Sequence, residues 1–384
     1  MHRYVAYLNT YYNRPCTAQF LWWFYYLLDH LPDTFLVTNR DYHVDQARRW
    51  EYAKYEKAPY EYSNPAYLQP KYYYTMKRFD EYEELKGLET PTQLLNASIH
   101  TPIPSIVEEL LSQVFSTSEN KNLTAGISWV NNASFDEACK IVGIPSIHNE
   151  SGALRSPFFL DSCYFDFSGV NGNTEFEKRF KLFKKISDKV KIYSREELLK
   201  LVSKEQQRDY VLGIHSQAPT YECGVAMQVD IDTNVLAFNR GVTETDVVNM
   251  AAKKYNNSLI IRNHPLSSIG YIKSGSLGAA QVDTSNNSLE FISKCKRIYT
   301  LNSSVAFEAL LLGREVKIFG DSPFRILQFM DEEELTLALN FAVFSYLIHI
   351  SRLYDTAYYD MRIRCKEEEY LYNEGQKYWE KLNV

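Results

Sequence analysis

Four short polar clusters in this 384-residue chain hold residue types suited to chemistry on an anionic, hydroxyl-bearing ligand. Asn302, Ser303 and Ser304 stand at the start of a helical pattern, where backbone N–H groups, hydroxyls and the positive end of a helix dipole attract phosphate. Glu308 falls on the same helix face as Ser304, one turn further on, and is placed to accept hydrogen bonds from a ribose diol. An ordinary N-cap followed by a surface Glu has the same spacing. Glu150 and Arg155 share the run HNESGALR: the carboxylate could take a proton from a hydroxyl, and the guanidinium could grip a carboxylate or phosphate through two parallel bonds. An ion pair bracing a loop is the plainer alternative. Gln228, Asp230 and Asp232 follow an apolar run, where acids also serve as turn formers, and Arg262 with His264 lies in RNHP, where a lone His after a strand is often structural.

Chemistry of this kind needs the clusters at the carboxyl edge of a sheet. The apolar periodicity predicts strands at 4–9, 34–38, 123–130, 144–147, 210–216, 224–229, 258–261, 297–301 and 315–319. Helices are expected at 20–28, 103–115, 136–142, 243–255 and 288–294, and after Ser304 with Gly313 as its C-cap. Each cluster then follows a strand. The reading is an α/β chain with a first domain over 1–206, a second over 207–330 and C-terminal helices over 331–384. A Tyr-rich insertion interrupts the first domain over about 50–85, and the charged helical stretch 174–207 reads as a solvated pair of helices leading into a linker. Ser267–Ala279, rich in Gly and Ser, reads as a mobile loop that closes over a ligand.

The stretch TLNSSVAFEALLLGREVKIFG resembles the C-terminal signature of the bacterial capsule polysaccharide synthesis family. Glu150, Gly152 and Arg155 resemble its E-x-G-x-x-R motif, Asp166, Gly169 and Asn171 its D-x-x-G-x-N element, and Arg262 with His264 and Pro265 its K-x-H-P element, with Arg in place of Lys. Gln228 and Asp232 resemble its strand-Gln-loop-Asp element. A second candidate frame begins at Gln217, but four residues later it meets Tyr221, which cannot serve as the carboxylate. The resemblance implies two Rossmann-like domains in a GT-B-like arrangement, with C-terminal helices packing back on the first. It also implies a retaining transfer of β-Kdo, a deoxy-octulosonic acid, from CMP-β-Kdo to a glycan or glycolipid in capsule, O-antigen or lipopolysaccharide synthesis. Asp232 would be the nucleophile, with Asp230 as its competitor, and Glu150 the base toward the acceptor. Arg262 and His264, as hydrogen-bond donor or imidazolium, would offset charge on the departing CMP phosphate. Arg155, Gln228, Asn302, Ser303, Ser304 and Glu308 would hold the donor. An inverting, sialyltransferase-like use of a CMP-sugar is the alternative enzyme reading, and a non-catalytic glycan-binding domain the alternative outside catalysis.

Composition narrows the partners. A net charge of −6 with no basic run argues against a nucleic-acid-binding surface. Cys16, Cys139, Cys163, Cys223, Cys295 and Cys365 are scattered without zinc spacing, and no D-x-D or His-rich cluster is visible. Metal-independent chemistry, no cofactor beyond the donor substrate, and a cytoplasmic protein with reduced thiols are expected. The apolar runs 18–28 and 335–350 are shorter than the roughly 20 residues of a spanning helix and read as core helices. A lipid-linked acceptor would still bring the protein to the cytoplasmic face of the inner membrane, as a whole protein or as one module of a larger transferase. Thirty tyrosines, concentrated between Glu51 and Tyr82, read as packing of an irregular insertion, with a sugar-stacking surface as the sharper alternative.

Overall fold

The structure, a computed structural model, describes residues 2–8, 23, 27, 30, 31, 33–39, 73–77, 81–229, 232–264 and 280–382. The chain divides into two compact units. The first comprises Met1–Glu150, Phe165–Gly169 and Ser351–Cys365, and the second comprises Ser151–Tyr164, Val170–Ile350 and Lys366–Val384.

In the first unit, strands β1 (Tyr4–Leu8), β2 (Thr34–Asn39), β3 (Tyr73–Met76), β4 (Ala125–Trp129) and β5 (Ser146–Ser151) run parallel in the order β5-β4-β1-β2-β3. Every residue of β1 and β4 is buried, as central parallel strands covered on both faces must be. Val5, Tyr7 and Val37 meet Ile106, Leu110 and Phe135 from the helices Pro104–Leu110 and Ala133–Val142 in one core. The latter helix starts where the Asn132 side chain accepts from the Phe135 N–H and stops at Gly143, whose φ of 79° suits glycine. Part of the Tyr-rich segment corrects the sequence reading: Tyr73–Met76 is a strand of the sheet. The hydroxyls of Tyr74 and Tyr82 donate to the two carboxylate oxygens of Glu109 at 2.9 and 2.8 Å, fastening this segment to a helix. Its residues 51–72 lie outside the described residues, as does the predicted helix 20–28 apart from Trp23 and Leu27, both buried. The helix Thr356–Arg364 belongs to this unit: Asp360 pairs with Arg3, and the Tyr359 hydroxyl accepts from Asn149 Nδ2 at 3.0 Å.

In the second unit, the Ser162–Tyr164 part of β6 (Ser162–Asp166) pairs antiparallel with Leu347–His349. Strands β7 (Cys223–Ala226), β8 (Leu259–Arg262), β9 (Gln281–Val282), β10 (Arg297–Thr300) and β11 (Glu315–Ile318) form a second, parallel sheet in the order β11-β10-β7-β8-β9. Three expectations change here. Residues 210–216 are not a strand: Arg208–His215 is a helix that buries Val211 and Ile214, three apart on one face. The strand that Gln228 follows is therefore β7, and the Gln217 frame has none. The apolar run 335–350 is not one core helix either. The helix Glu332–Phe341 passes through a π-helical turn at Ala342–Tyr346, and the chain then turns into β12 (Leu347–His349), exchanging helical bonds for ladder bonds to β6. The stretch 174–207 belongs to the second unit, not to a first domain ending at 206, because Phe176, Phe180 and Phe183 all pack edge-on or tilted against Phe341 at 5.2–5.7 Å. Apart from the buried Arg179, its charges lie mainly on the outer face of those helices.

The final helix, Glu368–Lys381, also stays with the second unit, with Tyr372 against Phe183 at 4.9 Å. It crosses Phe344 at Gly375, where an added Cβ would lie 1.6 Å from the Phe344 carbonyl oxygen. Backbone cannot yield as a side-chain tip can, so Gly375→Ala is expected to destabilise the second unit by about 3 kcal/mol. Urea unfolding checks this: a midpoint equal to that of the wild type contradicts the close crossing.

Candidate active site

The order of the second sheet reverses between β7 and β10, since β8 and β9 extend it on one side and β11 on the other. The loops leaving these two strands part from each other, and the crevice between them is where open α/β sheets bind ligands. Two amides span it. Gln228 Nε2 donates to Asn302 Oδ1 at 3.0 Å, and the Asn302 N–H donates back to Gln228 Oε1 at 3.0 Å. Asn302 Nδ2 continues to the carbonyls of Asn234 at 2.8 Å and Phe238 at 3.2 Å, and the Gln228 N–H reaches Glu244 at 2.6 Å. Gly320 must lack a side chain for this, because a Cβ there would lie 2.7 Å from Phe238 O and 3.0 Å from Asn302 Nδ2. Both amides are buried and engaged with each other. Gln228 and Asn302 thus fix the two loops to each other.

Asp232 ends the loop after β7. It is the N-cap of the helix Thr233–Ala237 and accepts from the Asn234 N–H at 3.1 Å. The Asn234 carbonyl is the one bound by Asn302, so the cap is tied to the residue before Ser303. Asp230 lies outside the described residues, as do Pro265 and the predicted loop 267–279. Ser303 accepts from the Val305 N–H at 3.3 Å, and Ser304 precedes the helix Val305–Leu311 without a side-chain cap bond. His264 follows β8 half-buried. Burial pushes its pKa down, the charge of Asp232 pushes it up, and that of Arg262 pushes it down again, with a net lowering. Of the two forms open from the sequence, the neutral imidazole therefore prevails at pH 7.

Two guanidiniums act on one half-buried carboxyl, that of Glu308. Arg155 donates from Nε to Gly152 O at 2.7 Å and from Nη2 to Ser151 O at 3.1 Å, bracing its loop through carbonyls. Gly152 is required at that turn, since a Cβ would lie 2.8 Å from the backbone carbon of Ser162. Arg262 donates from Nη1 to Asp283 at 2.7 Å and to Ser285 O at 3.0 Å. Glu308 accepts from Ser288 Oγ at 3.0 Å. Burial pushes Glu308 up to about 7, against the Ser288 hydrogen bond and the positive charges of Arg155 and Arg262. In the second unit Glu308 thus lies in the field of both Arg155 and Arg262, and His264 in that of both Asp232 and Arg262. Glu150 stands at the carboxyl end of β5 in the first unit, and Asp166 there closes an Asx turn, accepting from the N–H groups of Ser168 at 2.7 Å and Gly169 at 3.2 Å. Asn171 adopts a left-handed φ of 67°. The sequence reading missed Asp283 and Ser288. Their only signal is an acid and a Ser flanking a two-residue strand and a helix start.

Glu308 makes stability depend on pH with a definite sign. Its folded pKa lies above the unfolded value near 4.5, so between about 4.5 and 7 the folded protein binds more protons and stability falls as pH rises. Glu308→Gln should then raise stability at pH 8 by about 2 kcal/mol, allowing for partial solvent contact, and leave it nearly unchanged at pH 4. Denaturant midpoints at the two pH values check this, and equal shifts at both contradict it.

Comparison with known proteins adds the following. Residues 6–175 match the model of the glycosyltransferase 99 family N-terminal domain, and residues 225–338 match that of capsule polysaccharide biosynthesis proteins. Among solved structures the chain is similar to the beta Kdo 2,4 transferase of Thermosulfurimonas dismutans KpsC, with 19% identity and a TM-score of 0.42 over 60% of this chain and 82% of that one. For the beta Kdo 2,7 transferase of the same KpsC the values are 17%, 0.41, 64% and 82%. A UDP-GlcNAc 2-epimerase of Methanocaldococcus jannaschii gives 12% identity and a TM-score of 0.31 over 88% of this chain and 91% of that one. No curated protein sequence matches. Among the described residues, no helix is long and apolar enough to cross a membrane.

Proposed function

We propose that this chain, which matches a glycosyltransferase 99 N-terminal domain over residues 6–175 and a capsule polysaccharide biosynthesis model over residues 225–338, is a glycosyltransferase of capsule polysaccharide synthesis that moves β-Kdo from CMP-β-Kdo to a glycan acceptor with retention. One observation carries the reading: the Gln228–Asn302 clasp holds the Asp232 loop and the Ser303-Ser304 turn at the switch point of the second sheet. The CMP phosphate takes the N–H groups and hydroxyls at Ser303 and Ser304, and the ribose diol lies toward Glu308. Arg262 and the neutral His264 offset charge as the phosphate departs, and Arg155 meets the carboxylate of the sugar.

Asp232 attacks the anomeric carbon as its bond to the phosphate oxygen breaks and CMP leaves with the electron pair. The acceptor hydroxyl then displaces the aspartate and gives up its proton to Glu150. Two inversions amount to retention. CMP is a good leaving group, so no strong general acid is required. The acceptor is an oligosaccharide or a lipid-linked glycan, the latter bringing the protein to the cytoplasmic face of the inner membrane.

The product decides the stereochemistry. With CMP-β-Kdo and a glycan acceptor, NMR of the new linkage is expected to show the β configuration. An α product would replace this mechanism by single displacement, and a protein that binds glycan but neither binds nor consumes the CMP-sugar would be a binding module.

A further inference from the structure

We propose that Asp283 is a positioning residue for phosphate recognition: it fixes the Arg262 guanidinium at the crevice of the second unit. The inference deepens the reading of that crevice as a CMP-sugar site and rests on it.

Asp283 directly follows the two-residue edge strand β9, and its N–H donates to Ile261 O at 2.8 Å, which sets it beside the end of β8. Its side chain is fully buried. One carboxylate oxygen accepts from Arg262 Nη1 at 2.7 Å, and the other accepts from the Ser285 N–H at 3.2 Å, Ser285 Oγ at 2.6 Å and Lys294 Nζ at 3.3 Å. Lys294 also donates to Ser285 Oγ, and Arg262 Nη1 to Ser285 O, so the turn Asp283-Thr284-Ser285 grips both cations. Burial alone would raise the Asp283 pKa, but hydrogen bonds from Ser285 and Arg262 and the charge of Lys294 hold it below the usual range. The group is thus a permanent anion at working pH.

Two consequences follow for Arg262. A free arginine has many rotamers, and an acid gripping one end of its planar fork aims the remainder, which a flexible ammonium could not copy. Two cations against one anion also leave the cluster with a net charge of about +1, so Asp283 orients Arg262 without cancelling its attraction for a phosphate. The Phe291 ring, 6.0 Å beneath the guanidinium, supports the same pose.

The test is calorimetric titration of the full chain with CMP and, separately, with cytidine, for wild type, Arg262→Met, Asp283→Asn and the double variant. CMP affinity should fall at least tenfold in each single variant and no more than twofold further in the double, while cytidine affinity changes less than twofold. General damage to the unit would instead weaken both ligands, and that result overturns the proposal. So does CMP affinity in Asp283→Asn equal to wild type. If Asp283→Asn does not fold, Arg262→Lys serves: the charge is kept and the fork lost, so a tenfold loss of CMP affinity supports the proposal and wild-type affinity overturns it. A wild type that binds no CMP fails at the earlier step, removing the donor-site reading and this inference with it.

Discussion

Asp232→Asn is expected to lower sugar transfer by at least about 10³-fold while CMP binds within threefold of wild type. The substitution is informative because of where Asp232 sits. As an N-cap it accepts from the Asn234 N–H through a side-chain oxygen, and Asn is as good a cap as Asp. The helix Thr233–Ala237 and the Asn302 bond to the Asn234 carbonyl should therefore survive the change. What disappears is the carboxylate charge, and with it the nucleophile. Loss of that charge also removes what raises the His264 pKa, so the imidazole becomes still more firmly neutral and its role as a donor is preserved. Initial rates of CMP release and product formation check the prediction. A rate within tenfold of wild type takes the nucleophilic role from Asp232 and passes the question to Asp230.

Arg179→Met should destabilise the second unit by about 3–5 kcal/mol, the largest single effect on folding expected here. Arg179 and Glu368 are both buried, with Nε to Oε1 at 2.6 Å and Nη2 to Oε2 at 3.1 Å. Ser345 closes the network, accepting from Nη2 through its carbonyl at 2.8 Å and donating its hydroxyl to Glu368 at 2.8 Å. Removing the cation leaves a carboxylate in the interior with one hydroxyl for company. The partner change Glu368→Leu, made together with Arg179→Met, should recover much of the loss, since an apolar pair of similar volume needs no charge compensation. Denaturant unfolding of the single and double variants measures both. A single-variant loss below 1 kcal/mol would show that water reaches the pair.

Periodicity carried the sequence reading furthest where strands were central and continuous. β4, β8 and β10 lie within a residue or two of their predicted places, because strands inside a parallel sheet are buried and largely apolar. The same signal misled at 210–216, where YVLGIH is as apolar as a short strand. Only the burial of Val211 and Ile214 on one face identifies a helix. The division into units was not legible, since it depends on partners far apart in sequence: Arg179 with Glu368, and Phe176 with Phe341. The polar clusters after the strands were legible as a set, but the share of labour within them was not. The bond between Gln228 and Asn302 has no signal in either loop's own sequence, and Asp283, which grips Arg262, lies in a stretch with no pattern at all.

The most direct measurement is a crystal of the full chain soaked with CMP. The account predicts the phosphate against the backbone N–H groups of Ser303 and Ser304, the ribose hydroxyls toward Glu308, and Asp232 across the crevice from the phosphate with room for one sugar between them. CMP bound anywhere other than the switch point of the second sheet, or no CMP at saturating concentration, would contradict it.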